Sequence, residues 1–172
     1  MTIRDFLTED EVIQGVTNYL SQKGRTTQKR LINKSDAKTK QHGVDLKFKL
    51  ENDKKNGNWY IIEAKGNLKS DGSKMLSASN TNLRLAISQI ILRITVDSRN
   101  NNYIYGIAMP KSDVEKALTL DLIKSNWALK HLKIRFYGAY RDDSGNLTAH
   151  EYLPSQIYAK KKVSLTPKKV GQ

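Results

Sequence analysis

Two carboxylates and a lysine lie in stretches of the sequence that otherwise have the pattern of β-strands. Asp45 lies within the run VDLKFKL, and Glu63 and Lys65 end the run WYIIEAK. Ionisable side chains rarely enter such segments without a partner, because removing water from a charge is costly. The three residues therefore belong either to the polar face of an ordinary exposed sheet or to a site that carries out chemistry.

The spacing of these residues favours a metal site. Glu63 and Lys65 are separated by one residue, so their side chains point to the same side of a strand. If residues 52–58 (NDKKNGN) form a hairpin turn, Asp45 lies near Glu63. Two neighbouring carboxylates repel each other, and a hard divalent cation such as Mg²⁺ would satisfy both. The backbone carbonyl of Ala64 could add another oxygen ligand.

This set of groups suits the hydrolysis of a phosphodiester bond. A bound metal ion acts as a Lewis acid and generates hydroxide near neutral pH. Lys65 could lower the pKa of the attacking water or balance the charge on a pentavalent phosphorane. We therefore predict that Asp45, Glu63 and Ala64 bind Mg²⁺, with Mn²⁺ as a substitute.

The overall composition indicates a small globular protein with a polyanionic partner. The chain has 172 residues, of which 38% are hydrophobic and 27% charged, and this suits one domain with a single core. It carries 30 Lys and Arg against 17 Asp and Glu, a formal charge of +13. Such an excess favours DNA or RNA over a membrane surface as the partner.

The basic residues cluster in two segments, one between the first predicted helix and Asp45 and the other at the end of the chain. Runs of this kind can also serve only to keep a protein soluble, but the total charge favours nucleic-acid binding. The residues predicted to contact nucleic acid are Lys23, Arg25, Lys29, Arg30, Lys40, His42, Lys69, Arg84 and Arg93.

Several classes of protein are disfavoured by what the sequence lacks. There is no cysteine, which excludes disulfides, thiolate metal sites and cysteine nucleophiles and suits a reducing compartment. The start MTIRDFLTEDEV is acidic where a signal peptide would be basic. No run approaches the ~18 apolar residues of a membrane span. We predict a cytoplasmic protein that does not enter a membrane.

Hydrophobic periodicity predicts one α/β domain over residues 1–158, with helices covering a central mixed sheet. Residues 31–37 could hold a short strand, 66–80 indicate a mobile polar loop, and 159–172 a basic, disordered tail. The main predicted elements are helices at 8–22, 81–95 and 112–129 (the last only mostly helical), and strands at 44–50, 59–64, 102–109 and 132–140.

The pattern GVD, followed by a turn and then IIEAKG, resembles the restriction-endonuclease-like superfamily, also called PD-(D/E)XK nucleases. The resemblance covers roughly residues 6–110 and includes LTEDEVIQGVTNYLSQKG, SQIILRI and YIYGIAMP. The proline of the family motif is absent, since Val44 precedes Asp45. The resemblance implies an α-β-β-β-α-β core and metal-dependent DNA cleavage, with Asp45 and Glu63 as metal ligands and Lys65 as the catalytic lysine.

The resemblance also implies two further site residues. Gln89 lies where some members place a helix glutamine that orients the site. Many members use a glutamate of the first helix, and Glu9 and Glu11 compete for that role. At about 100° per residue, Glu9 falls on the helix face that points to the sheet, and Glu11 on the opposite side. Glu11 is also explained by a capping box with Thr8, so we predict Glu9.

The sequence thus predicts a Mg²⁺-dependent endodeoxyribonuclease that acts in restriction and defence or in recombination and repair. Enzymes of this kind often form two-fold dimers, so a homodimer or a subunit of a larger complex is expected. Two alternatives stay open. One is a non-catalytic nucleic-acid-binding module with the same fold, and the other is a subunit of a larger nuclease or transposition complex whose partner recognises the DNA.

Overall fold

The structure is a computed structural model that describes the chain in segments: residues 6–23, 25–26, 45–50, 59–69, 71–74, 78–97, 103–119, 123 and 127–158. The possible strand at 31–37, the turn at 52–58 and the tail at 159–172 lie outside the described residues. Among the described helices, none combines the length and the apolar character needed to cross a membrane.

The helices and strands alternate along most of the chain. The helices are α1 (Glu9–Gln22), α2 (Ala78–Asp97), α3 (Lys111–Thr119), α4 (Trp127–His131) and α5 (Pro154–Ile157). The strands are β1 (Arg25–Thr26), β2 (Leu46–Leu50), β3 (Trp59–Ala64), β4 (Tyr103–Pro110), β5 (Arg135–Arg141) and β6 (Leu147–Tyr152).

These strands form one mixed sheet in the order β1-β2-β3-β4-β5-β6. The central strands β3, β4 and β5 are parallel, while β1, β2 and β6 pair antiparallel with their neighbours. Parallel neighbours need a crossover connection, and α2 supplies it between β3 and β4, while α3 and α4 lie between β4 and β5. The prediction of an α/β domain with a central mixed sheet flanked by helices is confirmed at this general level.

The sheet carries one apolar core on each face. Tyr60 and Ile62 of β3 pack with α1 in the first core, and Ile61 packs with α2 in the second. Successive strand residues point to opposite faces, so a strand covered on both sides needs a continuous apolar run. The run WYIIEA of β3 is of this kind, and Glu63 is its one ionisable residue. A charge in this position needs partners.

The start of α1 is fixed by the predicted capping box. The Thr8 hydroxyl accepts a hydrogen bond from the N–H of Glu11 at 3.3 Å, and the Glu11 carboxylate accepts one from the N–H of Thr8 at 2.7 Å. The Arg141 guanidinium also binds the Glu11 carboxylate. Glu11 is therefore occupied with holding the helix end, as the sequence indicates.

Several predicted boundaries differ from the observed ones. The segment 112–129 is divided, since α3 ends at Thr119 and α4 begins at Trp127. Strand β5 begins at Arg135 and not at 132, because Lys133 has a φ of 51° and the left-handed turn separates helix from strand. Strand β6 was not predicted.

The predicted polar loop at 66–80 is wrong at both ends. Gly66 and Asn67 are buried next to β3, and α2 already begins at Ala78. Between them, Leu68 and Lys74 form an isolated antiparallel bridge. A polar sequence does not reveal this burial, because the partners that satisfy these residues come from distant parts of the chain.

Candidate active site

The ammonium group of Lys65 is surrounded by three carboxylates at the end of β3. Its Nζ lies 2.9 Å from Glu63 Oε1, 3.6 Å from Glu9 Oε2 and 3.8 Å from Asp45 Oδ2. The contact with Glu63 is also a hydrogen bond. We call these four residues the Lys65 cluster. Residues that are up to 56 positions apart in the sequence thus meet around one cation.

The β2–β3 pair brings Asp45 to Glu63. Leu46 pairs with Ile62 in antiparallel register, so the residue before β2 lies opposite Glu63. The Asp45 carboxylate accepts the N–H of Ala64 at 2.8 Å and so continues the ladder where β2 has ended. The N–H and carbonyl of one strand residue point to the same side, so the Ala64 carbonyl also faces Asp45.

Helix α1 adds the third carboxylate. Glu9 is the first residue of α1, and its side chain points back over the end of β3 to Lys65. Glu11 points away and binds Arg141. The geometric choice of Glu9 over Glu11 therefore agrees with the structure, although the catalytic role of Glu9 stays a prediction.

The charges in the Lys65 cluster are strongly coupled. Burial, and then the charge of Asp45, raise the pKa of Glu63 to about 7, although Lys65 opposes the shift. Burial also raises the pKa of Glu9. For Lys65, burial alone would lower the pKa, but the hydrogen bond to Glu63 and the nearby carboxylate charges raise it overall. Near neutral pH, Lys65 is charged and Glu63 is close to its midpoint.

A buried frame lies behind the cluster. Asn67 Oδ1 accepts the N–H of Leu7 at 2.9 Å, and the N–H of Asn67 donates to the Leu7 carbonyl at 2.9 Å. Asn67 Nδ2 donates to Asp113 Oδ2 of α3, again at 2.9 Å. Asn67 and Asp113 are only 1% and 2% exposed. The segment before α1, the end of β3 and the start of α3 are therefore joined at one point.

Gly66 allows this close approach. A Cβ at Gly66 would overlap the backbone of residues 7–9, with the nearest atoms in Leu7, Thr8 and Glu9. Its carbonyl accepts a hydrogen bond from Asn82 of α2. Any side chain at this position would push α1 away from β3, and Glu9 would move with it.

Sequence reasoning missed four residues of this frame: Gly66, Asn67, Asn82 and Asp113. Asn67 lies 60 positions from Leu7 and 46 from Asp113, so no local pattern links them. The available signal was the pair Gly66-Asn67 directly after a strand that ends in ionisable residues. A glycine there often marks a close approach of two backbones.

The residues predicted to contact nucleic acid are spread over the described surface. Lys23 is exposed at the end of α1, Lys69 lies in the exposed segment after β3, and Arg84 is exposed on α2. Arg25 lies on β1 and Arg93 in α2, but their side chains lie outside the description. Outside the described residues altogether lie Lys29, Arg30, Lys40 and His42.

Gln89 does not join the cluster by a hydrogen bond. It lies on α2, and its Oε1 is buried without a hydrogen-bond partner in the part of the chain that the structure describes. Its orienting role therefore stays a prediction. A buried carbonyl oxygen without a donor is uncommon, which makes Gln89 a residue whose substitution is informative.

The chemistry of the Lys65 cluster fits a divalent cation. Three carboxylates face one ammonium, so full ionisation leaves negative charge that Lys65 alone cannot balance. Among the described residues, however, no group of three or more His, Cys, Asp or Glu side chains is arranged to hold a metal ion. The fit therefore rests on Asp45, Glu63 and the Ala64 carbonyl. Mg²⁺ commonly binds one or two carboxylates together with water and phosphate.

Comparisons with known proteins do not extend this description: the sequence matches no family model, and searches of curated proteins and of solved structures find no match either. The functional interpretation therefore rests on the contacts, burial and charge of the Lys65 cluster.

Proposed function

We propose that this protein is a Mg²⁺-dependent endonuclease that hydrolyses phosphodiester bonds in DNA and belongs to the restriction-endonuclease-like, or PD-(D/E)XK, group of folds. The observation that carries the proposal is the meeting of Glu9, Asp45 and Glu63 around Lys65. The residues come from one helix and the ends of two paired strands. Restriction and defence, or recombination and repair, are the processes in which such an activity would serve.

The order of elements supports the proposal. From α1 to β4 the chain runs helix, three strands, helix, strand, which is the α-β-β-β-α-β order implied by the sequence resemblance. Strand β1 has only two residues, so the first of the three strands is short. The antiparallel β2–β3 pair carries the acidic residues, and the parallel β4 supports β3 from the other side.

The chain's own residues would divide the work as follows. Asp45, Glu63 and the carbonyl of Ala64 would hold the cation. When bound, Mg²⁺ supplies Lewis acidity and lowers the pKa of a coordinated water. Of the two roles considered for Lys65, the raised pKa favours the balancing of phosphate charge, because a charged ammonium cannot accept a proton. Glu9 holds that ammonium from the side of α1.

DNA is the proposed substrate because the chain is strongly basic outside the cluster. The formal charge of +13 supplies attraction to a phosphate backbone without reading base sequence. Exposed Lys23, Lys69 and Arg84 are the described candidates for phosphate contacts. A two-fold dimer would present two clusters to the two strands, and we include this assembly in the proposal.

A cleavage assay with matched variants tests the proposal. Duplex, nicked, branched and single-stranded DNA are incubated with the wild-type chain in Mg²⁺, Mn²⁺ or EDTA. Asp45→Asn and Lys65→Ala are expected to lower the cleavage rate by about 100-fold or more while DNA binding persists. Asp10→Asn and Lys116→Ala make the same charge changes at exposed positions and should leave cleavage unchanged. Full cleavage by Asp45→Asn or Lys65→Ala in Mg²⁺ would overturn the catalytic assignment.

Metal binding can be measured without catalysis. At about 100 times its Kd, Mg²⁺ should stabilise the wild-type chain by about 2.7 kcal/mol, because the ion binds only the folded site. Thermal unfolding at increasing Mg²⁺ concentration should show a rise in Tm for wild type and Asp10→Asn, and none for Asp45→Asn. Equal shifts in all three proteins would place the ion elsewhere.

One observation favours a second candidate function, a non-catalytic nucleic-acid-binding module of the same fold. Lys65 already bonds to Glu63 and neutralises part of the cluster, which is the arrangement expected of a site that holds no ion. Such a module would bind DNA in EDTA, would show no Mg²⁺-dependent rise in Tm and would cleave none of the DNA substrates.

A further inference from the structure

Leu7 and Asn67 bind each other through reciprocal hydrogen bonds directly behind the Lys65 cluster. The Leu7 N–H donates to the Asn67 side chain, and the Leu7 carbonyl accepts the N–H groups of Asn67 and Leu68 at 2.9 and 3.1 Å. Leu7 precedes Glu9 by two residues, and Asn67 follows Lys65 by two. The bonds therefore connect the two chain segments whose next side chains meet in the cluster.

The Asn67 carboxamide is used at both ends. Its oxygen faces a donor, the Leu7 N–H, and its nitrogen faces an acceptor, the Asp113 carboxylate. The site is buried, so water cannot replace either partner without opening the structure. A residue at position 67 must therefore present an acceptor to one side and a hydrogen-bonding partner for position 113 to the other.

The rest of α1 has its own attachment. Val12, Val16 and Leu20 are fully buried against the sheet, and Glu11 binds Arg141. Loss of the Leu7–Asn67 bonds would therefore loosen the first turn and leave the helix body in place. Glu9 is the residue of that turn whose side chain reaches Lys65, and its side chain is 49% exposed, so packing does little to fix it.

We propose that Asn67 is a positioning residue that holds the first turn of α1, and with it Glu9, against Lys65. Asn67 touches none of the proposed reacting groups and acts through Glu9. This inference rests on the proposed nuclease function, since it assigns a role within that site.

An exchange of the two buried partners tests the role of Asn67. Asn67→Asp places two carboxylates side by side with no shared donor, which breaks the frame. Asp113→Asn alone leaves two carboxamides that can still pair after one rotates. In the double variant Asn67→Asp/Asp113→Asn, the new carboxylate accepts from Leu7 and from the new carboxamide, so the frame is restored with donor and acceptor exchanged.

Single-turnover cleavage separates positioning from general stability. Asn67→Asp should lower the cleavage rate constant about 10- to 100-fold with little change in DNA affinity, and the double variant should recover most of the loss. In a Glu9→Gln background, Asn67→Asp should cause little further loss, because both changes remove the same contact. Equal losses in the two backgrounds, or no rescue by the exchange, would overturn the inference.

Amide hydrogen exchange gives a readout that does not depend on activity. Asn67→Asp should speed exchange at residues 7–9, while residues 12–20 stay protected, and the exchanged pair should restore protection. Unchanged protection at 7–9 in Asn67→Asp would contradict the inference. If wild-type chain cleaves no DNA, the proposed function fails, and the exchange data still decide whether Asn67 holds this turn.

Discussion

At the scale of single residues, Glu63 combines deep burial with a carboxylate neighbour. Its side chain is only 4% exposed, and burial together with Asp45 raises its pKa from 4.5 to about 7. The folded state therefore binds the Glu63 proton more tightly than the unfolded state does. Such a group stabilises the fold fully below its unfolded pKa, and this contribution is lost as the pH rises through the folded pKa.

The first prediction concerns this pH dependence. Without divalent metal, wild-type stability should fall between about pH 4.5 and pH 7 relative to Glu63→Gln, which stays neutral. The relative change should be of order 3 kcal/mol, since each pKa unit corresponds to about 1.4 kcal/mol. Urea unfolding in EDTA at pH 4.5, 6 and 8 measures it, where the pH values are about these.

The comparison of Glu63→Gln with wild type cancels the titration of all other groups. Asp10→Asn removes the same charge at an exposed position and should run parallel to wild type. If Glu63→Gln also runs parallel to wild type over this range, Glu63 does not have a raised pKa. If it is more stable than wild type at the highest pH, the site has been kept at a cost in stability, as is usual for functional sites.

At the scale of elements, α1 has to present Glu9 at its first residue, and the capping box determines where that residue lies. The second prediction is that Thr8→Ala lowers the free energy of unfolding by about 1 kcal/mol, because the Glu11 N–H loses its acceptor. Urea unfolding measures the change.

Thr17 provides a matched control on the same helix. Its hydroxyl donates to the Ile13 carbonyl inside α1, where alanine has the higher helix propensity. Thr17→Ala should therefore be close to neutral. Similar losses for Thr8→Ala and Thr17→Ala would show that the loss reflects threonine packing and not the cap.

The elements that sequence could predict are those whose signals are local. The capping box located the start of α1, and the continuous apolar run located β3 at its observed bounds, Trp59–Ala64. Strand β6 was missed because LTAHEY has weak alternation, and its place depends on pairing with β5, for example His150 with Gly138. Its position is decided by distant partners and not by its own sequence.

The site divides in the same way. Asp45, Glu63 and Lys65 could be predicted because ionisable residues in apolar strands are conspicuous, and helix periodicity selected Glu9. Asn67 could not be predicted, since its role depends on Leu7 and Asp113 meeting it in three dimensions. Polar residues that serve a buried frame resemble loop residues until their partners are known.

At the scale of the whole molecule, the acidic Lys65 cluster lies within a chain of formal charge +13. The basic surface attracts a phosphate backbone, but the carboxylates repel the phosphate that approaches the cluster itself. Under the proposed function a cation removes this conflict, because it binds the carboxylates and the phosphate together.

The third prediction follows from this conflict. In EDTA, the double variant Asp45→Asn/Glu63→Gln should bind duplex DNA about 10-fold more tightly than wild type, because two charges that repel phosphate are gone. Fluorescence anisotropy at one fixed ionic strength measures both affinities. Adding Mg²⁺ should strengthen wild-type binding and reduce the difference.

Asp142→Asn/Asp143→Asn makes the same change of charge in an exposed turn and separates local from overall electrostatics. If it strengthens binding as much as Asp45→Asn/Glu63→Gln does, total charge alone explains the effect. DNA would then not approach the Lys65 cluster, and the proposed site of cleavage would be wrong.

The frame behind the cluster also has a consequence for biosynthesis. Every residue of the Lys65 cluster has been added once 65 residues are made, but the N–H of Lys65 binds the carbonyl of Ala108, and Asn67 binds Asp113. A nascent chain that stops short of these residues holds the reactive groups without their support. For a protein that cuts DNA, activity would then begin only late in translation, so unfinished chains would not endanger the chromosome of the cell that makes them.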